Sequence, residues 1–321
     1  MSRKEKFSKK KMSTVKKVLI TLSILLVLGI SSGVVYGYTI YNKVNKTTAA
    51  IHKPIKKTKK RVEQVSVEKK EPFSILLLGV DHRKNDVGRS DSMILLTVNP
   101  NDKTTKMVSI PRDTRTEIVG KGIEDKLNHS YAFGGVQMTV DSVENLLNIP
   151  IDYYLEVNME GFKDIVQAVG GVDVDNDLDF TYEKVHFKKG MLHLNGEEAL
   201  KYSRMRKLDK RGDFGRQLRQ RQVIEAVIKK GASVSSLTNY QDILNAIEKN
   251  VETNLTFDEM ISIQKDYRDS ASKIDKIQIT GKGTKIKGIY YLVIPDEEKN
   301  YVTAELRNHL GLPLSNSAEA K

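Results

Sequence analysis

The sequence predicts a mixed α/β domain, with helical layers on both faces of a central sheet, behind one N-terminal transmembrane helix. Three observations support this prediction. Short, continuous apolar runs that end at turn-forming residues are typical of strands buried on both faces. These runs alternate with segments whose apolar residues recur at helical spacing, which favours a mixed sheet covered by helices. Near its start, the chain also has an uncharged stretch long enough to cross a bilayer.

Continuous apolar runs and the turn signals that follow them define the strands. Phe73 to Val80 is such a run, and the turn Asn99-Pro-Asn-Asp102 closes the next one. A third run ends at Pro111. The predicted strands, in order, are Phe73–Val80, Ser92–Val98, Lys106–Ile110, Tyr153–Val157, a strand carrying Arg204 and Arg206, Ile277–Ile279 and Gly288–Ile294.

Apolar residues three and four positions apart define the helices. In the longest of them, Val223, Ile224, Val227 and Ile228 are expected to point inward. The predicted helices, in order, are Val136–Leu147, Met159–Val169, Gly215–Lys230, Tyr240–Val251, Phe257–Asp269 and Thr303–Leu310.

The net charge of +12 is concentrated ahead of the predicted domain. Residues 1–70 hold 18 Lys and Arg and 3 Asp and Glu out of totals of 53 and 41, which leaves 35 basic and 38 acidic residues in 71–321. A nucleic-acid-binding domain would carry its basic surface on the fold, so this class is excluded and no nucleic-acid partner is expected. The chain has no cysteine, which excludes disulfides and thiolate metal sites.

The N-terminal part of the chain is predicted to anchor the protein in a membrane. Residues 1–17 form a basic tail, and Val18 to Tyr41 follow without a charge, which as a helix would span about 36 Å. Because no small-residue cleavage site closes a short apolar core, an uncleaved anchor is preferred to a signal peptide. The excess of Lys and Arg before the helix places the N-terminus in the cytoplasm and the domain outside, as in a single-pass type II membrane protein. A stalk over residues 42–71, the domain over residues 72–312 and a disordered tail over residues 313–321 complete the predicted organisation.

Charged side chains gather at the ends of the first three predicted strands. Asp81 follows the first strand, Arg89 and Asp91 precede the second, and Arg112 follows the third. Loops at strand ends are where ligands bind in open α/β sheets. Asp81 and Asp91 bracket one loop, and two such carboxylates suit a hard divalent cation such as Mg²⁺. Each aspartate taken alone is more simply a turn or capping residue.

The stretch from Lys201 to Gln222 is rich in arginine. On a strand, Arg204 and Arg206 would share one face. On the following helix, Arg216, Arg219 and Gln220 recur at helical spacing and would share another face. Guanidiniums arranged in this way are forked donors suited to phosphate oxygens. The alternative is a solvated basic strand and helix, although apolar residues interleaved with the arginines favour a half-buried segment. Two members of the stretch, Arg219 and Arg221, are expected to face solvent.

Other catalytic motifs are missing from the sequence. It contains neither a P-loop nor a G-x-S-x-G nucleophile motif, and its six histidines show no metal-ligand spacing. His129 is a candidate base, but a structural hydrogen bond is the commoner role for a single histidine. The nucleophile is therefore expected to come from a substrate.

Several motifs follow one another in a specific order: Leu78-Gly-Val-Asp81, Gly88-Arg-Ser-Asp91, Ser109-Ile-Pro-Arg-Asp113, Lys126-Leu-Asn-His-Ser130 and Gly212-Asp-Phe-Gly-Arg216. In this order they resemble the LytR–CpsA–Psr family, densely over residues 72–230 and more loosely beyond. No single motif is specific, but the ordered combination is.

The resemblance implies an enzyme, a phosphotransferase of the Gram-positive cell wall. It would move an anionic glycopolymer of the teichoic acid type from an undecaprenyl-pyrophosphate carrier to the N-acetylmuramic acid hydroxyl of peptidoglycan. A phosphodiester forms and undecaprenyl phosphate leaves, so the implied partners are the lipid-linked polymer, peptidoglycan and membrane lipid. Wall teichoic acid, teichuronic acid and a capsular glycan all remain open as the polymer.

The resemblance also assigns roles to residues. Asp81 and Asp91 correspond to an acidic pair that holds Mg²⁺ or Mn²⁺, and Asp91 is also a candidate proton acceptor. The catalytic assignment falls on Asp91, Arg204 and Arg206. Contacts to the donor pyrophosphate are assigned to Arg83, Arg89, Arg112, Lys126, Arg204, Arg206, Arg216 and Gln220.

Two other functions use the same features. A pyrophosphatase acting on polyprenyl pyrophosphates would use the same arginines and aspartates, with water as the acceptor. A membrane-anchored regulator without catalytic activity would need a cytoplasmic DNA-binding domain, for which residues 1–17 are too few. The lipid tail of the donor implies an apolar groove, and the helices Val136–Leu147 and Gly215–Lys230 either line it or belong to the core.

Overall fold

The structure, a computed structural model, describes residues 39, 41–43, 45–56, 60–61, 63–81, 88–232 and 240–314. The predicted cytoplasmic tail and all of the predicted anchor except Thr39 and Tyr41 lie outside these residues, as do residues 315–321 of the predicted tail. Among the described residues, no helix is both long enough and apolar enough to cross a membrane. The fold described below belongs to the second of the two compact units of the chain, Thr47–Lys321.

A six-stranded mixed sheet lies at the centre of this unit. Its strands are numbered in chain order, and their spatial order is β11 (Val251–Thr253), β6 (Tyr153–Asn158), β1 (Phe73–Val80), β2 (Ser90–Asn99), β3 (Thr104–Ser109) and β12 (Ile274–Gln278). Strand β1 is antiparallel to β2 and parallel to β6, and β3 is antiparallel to β2 and parallel to β12. The predicted mixed sheet is therefore confirmed.

Four two-stranded sheets surround the central sheet in the described part of the chain, together with the seven α-helices whose bounds are given below. The small sheets pair β4 (Arg115–Ile118) with β5 (Ile123–Lys126), β7 (Val172–Asn176) with β10 (Gly190–Leu194), β8 (Phe180–Tyr182) with β9 (Val185–Phe187), and β13 (Lys282–Ile286) with β14 (Ile289–Val293). The helices are α1 (His129–Leu147), α2 (Met159–Ala168), α3 (Gly196–Arg204), α4 (Asp213–Gly231), α5 (Tyr240–Asn250), α6 (Phe257–Asp266) and α7 (Asp296–His309).

Helices cover both faces of the sheet, as predicted. Side chains alternate between the faces of a strand, and Leu76 and Leu78 of β1 pack with α1 and α7 through residues such as Val143 and Leu306. On the other face, the neighbouring strands pack against Ile224 of α4. Each fully buried aliphatic side chain of this kind contributes roughly 1.5–3 kcal/mol to stability. This double packing explains why β1 and the middle of β2 carry apolar residues on both faces.

Helix α1 begins seven residues before its predicted start, because two glycines interrupt it. Gly134 and Gly135 leave the helical conformation, and Gly135 has a φ of 64°, which L side chains rarely adopt. Sequence periodicity detects only the regular part after the glycines. The short turn from His129 to Phe133 lies before the break and follows directly on β5 and Asn128.

Part of the predicted stalk packs onto the domain. Val65 and Val67 are buried in one cluster with Phe73 and Tyr267, and the rings of Phe73 and Tyr267 meet edge to face at 5.2 Å. His52 forms a parallel bridge with the edge strand β11. The segment before residue 72 therefore contributes to the core.

His309 lies in a buried polar pocket at the end of α7. Its Nδ1 is 2.7 Å from Thr97 Oγ1 and its Nε2 is 2.8 Å from Thr104 Oγ1. Burial, together with the nearby charge of Lys106, lowers the pKa of His309 from 6.5 to about 4. The folded protein therefore holds this imidazole neutral where the unfolded chain already binds a proton.

We expect acid to weaken the fold through His309. Between pH 6.5 and about 4 the unfolded state binds more protons at this site, so stability falls as pH falls, by at most about 1.4 kcal/mol per pH unit. His309→Gln should reduce the loss in unfolding free energy between pH 7.5 and 4.5 by about 2.5 kcal/mol. Urea unfolding at both values measures it, with His186→Gln on the surface as the control. An unchanged pH dependence in His309→Gln would contradict this expectation.

Candidate active site

The pairing of β1 and β2 places Asp91 on a β-bulge. Gly79 faces Ser92 and Val80 faces Ser90, so the register shift leaves Asp91 as an extra residue on β2. Bulges redirect a side chain and are common beside active sites. The predicted strand began only at Ser92, because the residues of the bulge are polar.

The Asp91 carboxylate contacts two residues that follow β3 in the chain. Its Oδ1 accepts hydrogen bonds from Arg112 Nη1 at 2.9 Å and from Asn128 Nδ2 at 3.3 Å. Arg112 Nε lies 3.7 Å from Asp113 Oδ2, and Lys126 Nζ donates to Asp113 Oδ1 at 2.8 Å. Burial alone would lower the pKa of Arg112, but Asp91 and further aspartates raise it above the ordinary value. Arg112 is therefore held charged by its partners.

Arg216, in the first turn of α4, pairs with an aspartate of its own helix. Its guanidinium is 11% exposed and lies 2.6 Å from Asp213 Oδ1. Burial lowers the pKa of Arg216, Asp213 opposes that effect, and the positive charges of Arg112 and Arg206 add to it. Arg112 and Arg206 are therefore among the charges that act on the pKa of Arg216.

A contact between Ser92 and Gln220 joins α4 to β2. Ser92 Oγ donates to Gln220 Oε1 at 3.3 Å, one turn of helix after Arg216. The helix thus presents Arg216 and Gln220 toward the bulge, as their spacing predicted. We call the following residues the arginine–aspartate cluster: Asp91, Arg112, Asp113, Lys126, Asn128, Asp213 and Arg216.

Three acidic and three basic residues make the arginine–aspartate cluster neutral by formal charge. Two of its donors, Nε of Arg112 and Nε of Arg216, are buried and have no hydrogen-bond partner among the described residues. Asp113, Asn128 and Asp213 were not assigned as site residues from the sequence. The signal for Asp213 was its position three residues before Arg216, where it forms a pair on the helix.

Arg204 and Arg206 do not lie on a strand, so that prediction is wrong. Arg204 is the last residue of helix α3, and Arg206 follows it, with both side chains exposed. A capping box at the start of the helix, in which Asn195 and Glu198 bond each other's backbone, fixes its first turn. The positive charge of Arg206 contributes to the lowered pKa of Arg216. Arg204 instead influences Tyr182. The pKa of Tyr182 is raised, chiefly by burial, and the positive charge of Arg204 opposes this rise.

Arg219 was predicted to face solvent, and that prediction is also wrong, because its side chain is 0% exposed. Its Nη1 donates to Asp209 Oδ2 at 2.8 Å and its Nη2 to the Met205 carbonyl at 2.6 Å. Burial alone would raise the pKa of Asp209, but hydrogen bonds from Arg211 and Arg219 hold it well below the usual range. Gly215 allows this approach, since a Cβ there would meet Asp209 Oδ2 at 2.0 Å. Arg219 therefore fixes the loop that carries Arg206.

Arg221 is buried as well, against the prediction, with 3% of its surface exposed. Its Nη1 donates to Ser109 Oγ at 3.0 Å, and its Nη2 lies 3.5 Å from Gln278 Oε1. Burial lowers the pKa of Arg221. Among the described residues, the hydrogen-bond partners of Arg221 are neutral side chains and include no carboxylate.

Two predicted residues, Asp81 and Arg89, flank the segment that joins β1 to β2. The Asp81 N–H donates to the Arg89 carbonyl at 3.4 Å, which brings the backbones of these two residues together. The Arg89 side chain is exposed. Arg83 lies outside the described residues.

Asp81 and Asp91 supply the hard oxygen donors that Mg²⁺ prefers. Among the residues described, no group of three His, Asp or Glu suited to a metal occurs.

The predicted groove helices contribute to the core. Val140 and Val143 of α1 and Val223 of α4 are buried in hydrophobic clusters. A cavity of about 320 Å³ is lined by residues that include His52 and Asp152, and it shares no residue with the arginine–aspartate cluster. We therefore centre the candidate site on the cluster and not on that cavity.

Known proteins resemble this chain over most of its length. It is 57% identical over 298 residues to the polyisoprenyl-teichoic acid–peptidoglycan teichoic acid transferase TagU of Bacillus cereus, covering 92% of this chain and 98% of that protein. The crystal structure of Bacillus subtilis TagU superposes with a TM-score of 0.62 at 50% identity, over 77% of this chain and all of that one. A structure of TagT bound to LIIa-WTA superposes with a TM-score of 0.68 at 36% identity, over 80% and 97% of the two chains.

The family model covers the central sheet, the arginine–aspartate cluster and the helices on both faces. It describes the LytR_cpsA_psr family and matches residues 38–308, which is most of the chain. The resemblance seen in the sequence motifs is thereby confirmed, and this chain belongs to the LytR_cpsA_psr family.

Proposed function

We propose that this protein transfers a glycopolymer of the teichoic acid type from an undecaprenyl-pyrophosphate carrier to the N-acetylmuramic acid hydroxyl of peptidoglycan. Two pairs carry the proposal, Arg112 with Asp91 at the bulge and Arg216 with Asp213 on the helix that contacts Ser92. The name of a relative 57% identical to this chain, a teichoic acid transferase, supports it. The family and the geometry of the cluster together favour phosphoryl transfer.

The charges of the site suit a pyrophosphate. The cluster is formally neutral, so the charge that balances an anionic ligand comes from outside it. Two exposed arginines at its edge, Arg89 and Arg206, supply this excess. Arg112 and Arg216 are already oriented by their aspartates, which lowers the cost of ordering them when the ligand binds.

In the proposed mechanism, the arginines stabilise the charge that develops as the pyrophosphate splits. Arg112, Arg206 and Arg216 donate hydrogen bonds to phosphate oxygens, and Gln220 helps to hold the same group. Such preorganised donors usually account for the largest part of catalysis of this kind. Asp91 and Asp213 keep the guanidiniums in place between turnovers.

A divalent cation fits the same site. Asp81 and Asp91 would hold Mg²⁺ or Mn²⁺, with phosphate oxygens of the substrate completing the ligand set. The bonds that Asp91 accepts from Arg112 and Asn128 both reach Oδ1, so they do not use Oδ2. The cation would neutralise phosphate charge.

The domain is proposed to work on the outer side of the cell membrane. The uncharged segment Val18–Tyr41 would anchor the chain, with the basic tail of residues 1–17 in the cytoplasm. In that orientation the site meets both a lipid-linked donor and the cell wall.

The test uses the full chain in detergent, a polyprenyl-pyrophosphate-linked teichoic acid donor and peptidoglycan oligosaccharides. The expected result is polymer joined to the oligosaccharide through a phosphodiester, with release of polyprenyl phosphate. Release of polyprenyl phosphate and phosphorylated polymer, without joining to the oligosaccharide, would instead identify a pyrophosphatase. If neither product forms, the assignment is overturned.

Removal of divalent cations should slow this transfer. Because the ion would neutralise developing charge, we expect chelation to reduce the rate by at least roughly tenfold and added Mg²⁺ or Mn²⁺ to restore it. Asp81→Asn should weaken the response to added metal. Full activity in excess chelator, measured after dialysis, would exclude a metal role for Asp81 and Asp91.

A further inference from the structure

Asp125 and His129 form a hydrogen-bonded pair directly beside the arginine–aspartate cluster. His129 Nδ1 lies 2.8 Å from Asp125 Oδ2, with the two side chains 27% and 20% exposed. The residues between them belong to the cluster: Lys126 bonds Asp113 and Asn128 bonds Asp91. The pair and the cluster are thus presented by one short segment of chain.

Further hydrogen bonds fix the Asp125 carboxylate. The Lys126 N–H donates to Asp125 Oδ1 at 2.7 Å, and the Tyr291 hydroxyl of β14 donates to the same oxygen at 3.3 Å. Burial alone would raise the pKa of Asp125, but the bonds from His129 and Lys126 lower it below the ordinary value. Asp125 is therefore an ionised and oriented acceptor for the His129 ring.

This pairing determines which nitrogen of His129 is available. A carboxylate at Nδ1 favours the tautomer that carries its proton there, which leaves a lone pair on Nε2. None of the described residues bonds Nε2. An imidazole held by a carboxylate through one nitrogen, with the other nitrogen open, is the arrangement of a general base.

The surroundings of His129 suit a sugar. The ring of Phe133 lies 6.2 Å from that of His129 and is 42% exposed, and Lys121 Nζ lies 5.4 Å from its centroid. Tyr290 is 45% exposed, and its ring lies 6.0 Å from Lys126 Nζ. Exposed aromatic faces next to a phosphate site can receive the apolar face of an acceptor sugar.

We propose that His129 is the general base that accepts the proton of the acceptor hydroxyl, with Asp125 as its positioning residue. This inference rests on the proposed function. As the acceptor oxygen forms a bond to the phosphorus that bears the glycopolymer, its proton passes to His129 Nε2. The bond from that phosphorus to the bridging oxygen breaks, polyprenyl phosphate leaves with the electron pair, and His129 then returns the proton to solvent.

Asp91 is the rival for this role. Its Oδ1 already accepts bonds from Arg112 and Asn128, and we assign its carboxylate to the donor side. The charged and titratable groups around His129 are Asp125 and Lys126 from β5, Tyr291 from β14, and Lys121 near Phe133. Among these, Asp125 is the group in direct contact with the imidazole.

The test compares the full chain with His129→Gln, Asp125→Asn, Asp91→Asn and a matched control, His193→Gln. His193 also pairs with an aspartate through Nδ1, at 2.6 Å from Asp173, but lies on the β7–β10 hairpin. Initial rates of polymer transfer are measured across pH, and binding of geranylgeranyl pyrophosphate, a donor probe, is measured by calorimetry. Melting temperatures show whether each variant folds.

We expect His129→Gln to lower kcat by roughly 100-fold or more, with probe binding within about twofold of wild type. The acid limb of the rate profile should disappear in His129→Gln and move to lower pH in Asp125→Asn. His193→Gln should behave as wild type. If His129→Gln keeps the wild-type rate and profile, or if only Asp91→Asn removes the acid limb, the inference is overturned. If wild type transfers nothing, the proposed function falls first and this inference with it.

Discussion

Arg216→Lys is expected to reduce kcat/KM for polymer transfer by roughly 100-fold or more, while the protein stays folded. Lysine keeps the positive charge and can still pair with Asp213, so the local charge balance is preserved. It lacks the planar fork of donors with which a guanidinium can hold two phosphate oxygens at once. The measurement is the initial rate of transfer at several donor concentrations.

Arg268→Lys is the matched control. Arg268 is exposed and lines a surface cavity with Lys229, near the C-terminal end of α4, whereas Arg216 lies in the first turn of that helix. The control should retain wild-type kinetics. If Arg216→Lys also transfers at the wild-type rate, the guanidinium of Arg216 does not contact the reacting phosphates and the site is wrongly assigned.

Local patterns predicted the central sheet because its strands are buried on both faces. An unbroken apolar run such as Phe73–Val80 has few alternatives, and the predicted bounds match β1. The segment before Arg204 was misassigned because its apolar residues, Ala199 and Leu200, are few. The signal that would have identified the helix is the pair Asn195 and Glu198, whose three-residue spacing is that of a capping box.

The site could be predicted where its residues border buried strands. Asp91 and Arg112 lie at the ends of β2 and β3, so strand order alone brings them together. The partners of Arg219 and Arg221 could not be found in this way. Asp209 lies ten residues before Arg219, across a turn. Ser109 lies on strand β3, far in sequence from the helix α4 that carries Arg221. Helical periodicity shows which residues share a face but not what that face meets.

Two buried arginines of α4, Arg219 and Arg221, should differ in how much stability the protein loses when each is replaced by methionine. Arg219→Met removes a cation from Asp209, whose side chain is 3% exposed, and removes the donor to the Met205 carbonyl. Loss of one partner of a buried ion pair typically costs about 3–5 kcal/mol. Because Arg211 still bonds Asp209, we expect a loss near the lower end, about 3 kcal/mol.

Arg221→Met should leave the free energy of unfolding within about 1 kcal/mol of wild type. Arg221 is a buried charge whose described partners, Ser109 and Gln278, are neutral, so removing its desolvation cost offsets the lost hydrogen bonds. Urea unfolding of both variants at neutral pH measures the difference. Equal destabilisation of the two variants, or a greater loss in Arg221→Met, would show that burial alone, and not pairing with Asp209, determines what each arginine contributes.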